Sequence, residues 1–135
     1  MSFDPYLFFT GNCREAMSRY QEIFGGELSI MTNGEAPEGE GMPGAGADAV
    51  LHAGLTIGDR YLMASDDPTG NDGPKVGVAV CHTAPDAGEA KRIFDALAEG
   101  GEVQMPLGET FFSPAFGACV DRFGVSWMVM VDQAH

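Results

Sequence analysis

The sequence predicts an α+β fold of two β-α-β-β-β modules whose curved sheets form a shared cup. Two echoes within the chain predict it. Ile23-Phe24-Gly25-Gly26-Glu27-Leu28 ends one amphipathic run, and Leu97-Ala98-Glu99-Gly100-Gly101-Glu102-Val103 ends another 75 positions later, each leading into a strand-like segment. Ile57-Gly58-Asp59-Arg60 and Phe123-Gly124-Val125-Ser126 each separate two strand-like runs. Repeated order at a fixed offset means two similar units. At 135 residues they share one domain, with module one near 3–66, a linker at 67–74 and module two near 75–131.

Tyr6 to Phe9 is a short aromatic and aliphatic strand. Asn12 is placed to cap the helix that follows, with Glu15 reaching back as in a capping box. Cys13, Ala16, Met17, Tyr20, Ile23 and Phe24 recur at helical spacing, and Gly25-Gly26 stops the helix. Glu27 to Thr32 restarts as a strand. Asn33 to Ala47, rich in Gly, Pro and Glu, is a loop of the length that is usually functional or mobile. Ala49–Ile57 and Tyr61–Ser65 make a hairpin around Gly58-Asp59.

In the second module Val76, Val78 and Val80 alternate as a half-buried strand. Pro85 suits the first turn of a helix, with Thr83 or Ala84 as its cap. Ala90, Ile93, Phe94 and Leu97 form the helical stripe, and Gly100-Gly101 ends it. Glu102–Leu107, Ala115–Val120 and Val125–Val131 complete three strands.

Seven basic residues stand against twenty acidic ones, a net charge of -13. That balance argues against nucleic acid and anionic membranes, which require basic patches. No apolar stretch approaches the length of a membrane span, and Met1-Ser2-Phe3-Asp4-Pro5 has no basic-then-apolar order, so a cytoplasmic protein without a signal peptide is expected. Cys13, Cys81 and Cys119 are widely spaced and form no C-x-x-C pair. Neither a zinc ribbon nor a redox dithiol is signalled, and buried thiols acting as small hydrophobes are the simpler reading.

Paired β-α-β-β-β units of this size resemble the vicinal oxygen chelate superfamily, which includes glyoxalase I, extradiol dioxygenases and bleomycin-resistance proteins. Pro5-Tyr6-Leu7-Phe8-Phe9, Gly11-Asn12-Cys13, Tyr20-Gln21-Glu22-Ile23-Phe24-Gly25-Gly26, Leu62-Met63-Ala64-Ser65-Asp66 and Phe123-Gly124-Val125-Ser126-Trp127-Met128 resemble its PhnB-like branch more closely. The resemblance runs from about Phe3 to Val131. Some members of that branch carry the label 3-demethylubiquinone methyltransferase. No strand here leads through a Gly-rich turn into a helix, with an acidic residue following at the spacing that holds an adenosyl cofactor, so methyl transfer is not expected.

The resemblance also implies a divalent metal held by His, Gln or Glu from the first and last strands of each unit. Aligned on Tyr20, Gly25, Val76 and Gly124, those positions fall on Pro5, Leu62 or Met63, Lys75 and Met128. None of these side chains suits a hard or borderline cation, and Lys75 repels one, so no metal cofactor is expected at the ancestral position. A divalent metal at a moved site is the alternative.

His52 is the histidine of interest. In the third strand Leu51, Ala53, Leu55 and Ile57 alternate with Val50, His52, Gly54 and Thr56, which places His52 on the cup-lining face if the aliphatic set packs under the helix. A structural histidine at a half-exposed position fits the same pattern. His82 and His135 read as surface residues. Asp66 and Glu109 are the candidate carboxylates beside His52. Asp66 serves equally as a turn cap, and Glu109 as an ordinary loop acid. Phe9, Met63, Phe111, Phe112, Trp127 and Met128 are the candidate ligand-binding wall, although most such residues belong to cores. Phe111-Phe112, in a loop flanked by Gly, Ser and Pro, suggest a lid or partner surface.

Three functions remain open. One is a metal-free small-molecule binder, or an enzyme using His52 and carboxylates. Another is a metal-dependent lyase, isomerase or dioxygenase of glyoxalase type, with the metal moved to His52, Asp66 or Glu109. The last is a ligand-sequestering protein of the bleomycin-resistance kind, for which an acidic surface favours cationic ligands. A homodimer is expected from the resemblance and from strand edges that need cover.

Overall fold

Each half of the chain builds a four-stranded mixed sheet with one helix laid against it. The computed structural model describes residues 3–42, 44–67 and 75–132. The chain divides into two compact units, Met1–Asp72 and Gly73–His135. Most of the expected linker, and His135, lie outside the described residues.

In the first unit the elements are β1 (Tyr6–Phe9), α1 (Cys13–Phe24), β2 (Glu27–Thr32), β3 (Val50–Ile57) and β4 (Arg60–Asp66), with a short 3-10 turn at Asn33–Glu35. The sheet order is β1-β4-β3-β2. β1 runs parallel to β4, and the other pairs are antiparallel. α1 buries Cys13, Ala16, Met17, Tyr20 and Ile23. They pack against one face of the sheet, where Leu7, Phe9, Ala53, Leu55, Leu62 and Ala64 are also buried. Directly paired residues share a face, so Ala53 with Ala64 and Leu55 with Leu62 mark the helix side. No helix of this unit lies on the opposite face. The loop after β2 is organised by Asn33, whose side chain donates to the carbonyls of Met42 and Ala45 and accepts from the Met42 N–H.

The second unit repeats the plan with β5 (Val80–Ala84), α2 (Ala87–Ala98), β6 (Glu102–Gly108), β7 (Phe116–Val120) and β8 (Ser126–Val131). Its sheet order is β5-β8-β7-β6, with β5 parallel to β8. Ala90, Ile93, Phe94 and Leu97 of α2 are buried, as are Cys119, Trp127, Val129 and Val131 of the sheet.

The repeated Gly-Gly-Glu has a packing cause. Gly26 holds a φ of 89°, and a Cβ there would run into the Thr56 carbonyl oxygen at the end of β3. A Cβ at Gly101 would run into the Val120 carbonyl oxygen at the end of β7. In both modules the second glycine lets the chain leave its helix close against a neighbouring strand.

Three local expectations are corrected. The strand opening module two is Val80–Ala84, not Val76–Val80: Gly77 holds a φ of 82°, which turns the chain, and Val76 and Val78 are exposed. Pairing with β8 is what selects the later segment. The cap of α2 is Asp86, whose side chain accepts from the Glu89 N–H, so Pro85 precedes the cap and Thr83 and Ala84 belong to β5. Asn12 sits at the cap of α1 but makes no side-chain capping bond. The partner for that helix start comes from Asp66, far along the chain.

Candidate functional site

The helix-free face of the first sheet gathers side chains that sequence alternation scatters through four strands. On β1 the period of two buries Leu7 and Phe9 and leaves Tyr6 and Phe8 exposed. Tyr6 pairs with Met63, and Phe8 with Ser65. Met63 in turn pairs with Gly54, and Met31 with His52. Tyr6, Phe8, Met31, His52 and Met63 therefore share one face. Tyr6 is the hub: its Oη lies 3.3 Å from His52 Nδ1. Its ring centroid is 5.8 Å from that of His52 and 5.1 Å from that of Phe8, both tilted. Tyr61 joins them, because Gly54 has no Cβ to block the Tyr61 hydroxyl from lying across the strand. The result is an apolar, aromatic surface with one imidazole and two phenols on it.

The carboxylate expected beside His52 is on the other side of the sheet. Asp66 is buried and accepts hydrogen bonds from three backbone N–H groups: Gly11 and Cys13 through Oδ1 and Val50 through Oδ2. These contacts tie the start of α1 and the start of β3 to the end of β4. Asp121 does comparable work in module two, accepting from the N–H groups of Phe123 and Val125 through Oδ1 and from Trp127 Nε1 through Oδ2. The negative charge of Asp66 also bears on Cys13. Burial pushes that thiol up to about 12, with Asp66 adding to the shift and Arg14 opposing it.

The other sequence candidates divide between surface and core. Phe9 and Trp127 lie in the helix-side cores, each 2 % exposed, and not on the helix-free faces. Met128 is on the helix-free face of the second sheet, paired with Cys81 and Ala118. Glu109 is exposed in the loop after β6. In that loop Thr110 and Ser113 close a turn that holds Phe111 91 % exposed. Phe112 packs edge-on against Phe116 at 5.0 Å. His82, expected at the surface, is half-buried on the helix side, where its pKa is lowered by desolvation, opposed by Glu89 and reinforced by Arg92.

The positions the resemblance assigned to a metal do not fit one. Leu62 is core, Lys75 lies outside any strand, and Met63 and Met128 offer thioethers. The strand pairing that sets Tyr6 beside Met63 in module one sets Cys81 beside Met128 in module two. The Cys81 thiol is pushed up by desolvation and then by Asp132, which disfavours the thiolate a metal needs. Phenol, thioether and neutral thiol are a poor donor set for a hard or borderline divalent cation. Among the described residues no three His, Cys, Asp or Glu side chains form a group able to hold one.

Tyr6, Phe8, Met31 and Tyr61 were absent from the sequence candidates. The signal that finds Tyr6 and Phe8 is the two-residue alternation of β1, read as two faces instead of one aromatic strand. Tyr61 becomes visible only when Gly54 is seen opposite it.

Comparison with known proteins locates the chain. The model of the family described as 3-demethylubiquinone-9 3-methyltransferase matches residues 1–130. Protein YjdN of Escherichia coli strain K12 is 34% identical over 140 residues, covering 97% of this chain and 95% of that protein. The crystal structure of protein PA1353 from Pseudomonas aeruginosa is similar at 44% identity and a TM-score of 0.89, covering 99% of both chains. The PhnB protein from Bacillus cereus is similar at 28% identity and a TM-score of 0.75, over 97% of this chain and 99% of that one.

Proposed function

The chain belongs to the PhnB-like family described as 3-demethylubiquinone-9 3-methyltransferase, with a glyoxalase-type fold, and from that premise we propose that it binds a small molecule against the helix-free face of its first module. One observation carries the reading. Phe8, Met31 and Tyr6 stay 55%, 46% and 38% exposed beside His52, although the sheet has another face on which apolar side chains are covered. Contiguous apolar surface with a few convergent polar groups is the usual composition of a ligand site.

In this proposal His52 supplies the polar contact and Phe8 and Met31 the apolar one. No divalent cation takes part at the positions of Pro5, Met63, Lys75 and Met128, whose side chains do not suit one. The methyl transfer in the family's description is not adopted, because the β1–α1 and β5–α2 connections hold no Gly-rich turn for an adenosyl group. A net charge of -13 favours a second reading within the same site, the sequestering of a cationic aromatic compound. We also propose a homodimer, which light scattering at micromolar concentration tests directly.

The test is a fragment screen followed by NMR on wild type, His52→Ala and Phe8→Ala. Loss of binding in both variants with an unchanged melting temperature supports the site. Unchanged binding with a lowered melting temperature for His52→Ala makes the histidine structural and removes the proposal. Stoichiometric zinc, nickel, iron or manganese in protein purified without a His-tag contradicts the metal-free part.

A further inference from the structure

Tyr6 and His52 meet across the intervening strand β4, and their chemistry reaches beyond apolar contact. We propose that Tyr6 is a positioning residue. Its hydroxyl donates to His52 Nδ1 and holds the ring as the Nε2–H tautomer, so that Nε2–H becomes a donor aimed at a ligand with a neutral carbonyl oxygen on an aromatic body. This rests on the binding reading above and adds the tautomer and the ligand class.

The argument starts from the inventory of donors and acceptors. In neutral imidazole one nitrogen donates and the other accepts, and the partner of one decides what the other can do. The Tyr6 Oη to His52 Nδ1 separation of 3.3 Å puts the phenol at Nδ1 and leaves Nε2 for something else. A phenol O–H meeting a ring nitrogen lone pair uses the donor of one group and the acceptor of the other. Tyr61 adds a second hydroxyl to the same face, and it reaches there only because Gly54 lacks a Cβ. Ser29, which pairs with Gly54, Ser65, which pairs with Phe8, and Thr56, which pairs with Tyr61, add further hydroxyls to that face. Those hydroxyls can donate or accept, so the group that selects is Nε2–H, which only donates in this tautomer, and the complementary ligand atom is an acceptor. The net charge of -13 repels an anionic acceptor, which selects a neutral carbonyl over a carboxylate. The tilted Tyr6 and Phe8 rings, 5.1 Å apart, offer the apolar support an aromatic body needs.

The experiment uses the full chain, 15N-labelled, at a pH where the imidazole is neutral. The ring nitrogens of His52 are recorded in wild type, Tyr6→Phe and Phe8→Ala. Wild type is expected to show an unprotonated Nδ1 and a protonated Nε2. Tyr6→Phe is expected to shift both nitrogens toward a mixture of tautomers, while Phe8→Ala leaves them in place. A protonated Nδ1 in wild type, or identical ring shifts in Tyr6→Phe, overturns the positioning role. A merely structural tyrosine would change the melting temperature without moving those nitrogens.

The ligand class is tested with acetophenone against α-methylstyrene, its isostere without the carbonyl. Acetophenone is expected to perturb the His52 and Tyr61 signals, with several-fold weaker binding in Tyr6→Phe and for α-methylstyrene. Equal binding of the two probes overturns the acceptor preference while the binding face stands. If neither probe perturbs the face and the tautomer result holds, the ligand class is overturned and the Tyr6–His52 geometry survives, while the binding reading falls only if the fragment screen also finds no binder on this face.

Discussion

Replacing Asp66 separates scaffold from site. Its carboxylate accepts from Gly11 and Cys13 at 3.0 Å and from Val50 at 2.9 Å. Cys13 and Val50 are buried, whereas Gly11 is exposed and can turn to water. Asp66→Ala therefore strands two buried donors. At about 1–3 kcal/mol for each unsatisfied group, the loss is about 2–6 kcal/mol, a large share of the roughly 5–15 kcal/mol that holds a domain folded. Asp66→Asn is milder. Its amide oxygen can keep Gly11 and Cys13, but its NH2 then faces the Val50 N–H, donor against donor, at a cost of about 1–3 kcal/mol. Urea unfolding followed by circular dichroism gives both numbers, and hydrogen exchange at the Cys13 and Val50 amides localises the loss. The expected order of stability is wild type, then Asn, then Ala. Both variants within about 0.5 kcal/mol of wild type, the range of ordinary surface changes, would refute the scaffold argument. Loss of ligand binding at unchanged stability would return Asp66 to the site.

Three further outcomes follow from burial and backbone geometry. Cys81 is exposed whereas Cys13 and Cys119 are buried, so a disulfide reagent at pH 8 should titrate one thiol in the native chain and three after unfolding; fast labelling of Cys13 would contradict the burial. The Cys13 thiol is raised from 9.0 to about 12 and that of Cys119 to about 11, so their neutral forms stabilise the fold fully below pH 9. That contribution is lost as the pH rises toward the folded values, and Cys13→Ala should flatten the alkaline decline in melting temperature. Gly25 and Gly26 should also respond differently to alanine. Gly25 has a φ of 77°, a ψ of -158° and open space, so Gly25→Ala costs about 1–3 kcal/mol of backbone strain. Gly26→Ala adds a collision with the Thr56 carbonyl and should cost more in the same urea assay; equal losses would refute the close-approach explanation.

Asp66 and Asp121 show how local reading and tertiary structure part company. Each looks like a turn acid or a candidate catalytic carboxylate in its own neighbourhood. Asp66 instead serves the start of α1, 53 residues away, and the start of β3, 16 residues away. Nothing near Asn12 announces that its helix is capped from β4. The Asn12–Glu15 spacing is that of a capping box, yet the Asn12 side chain makes no capping bond, and the carboxylate at that end is Asp66, which accepts from the Gly11 and Cys13 N–H groups.

What the sequence determined by itself is the plan: two β-α-β-β-β modules, helices ended by Gly-Gly, and His52 on the alternate set of the third strand. Those features depend on periods of two and 3.6 and on glycine, which act within a few residues and so are written locally. The tertiary structure decided the start of module two, where pairing with β8 chose Val80–Ala84 over an equally alternating Val76–Val80. It also decided the membership of the site. Phe8 and Phe9 are adjacent and chemically identical, yet one is 55% exposed and the other 2%, because a strand sends neighbours to opposite faces and only the helix says which face is covered. Tyr6 reaches His52 across 46 residues because β4 lies between their strands and aligns both side chains on one face, a relation set by strand pairing and not by any spacing in the chain.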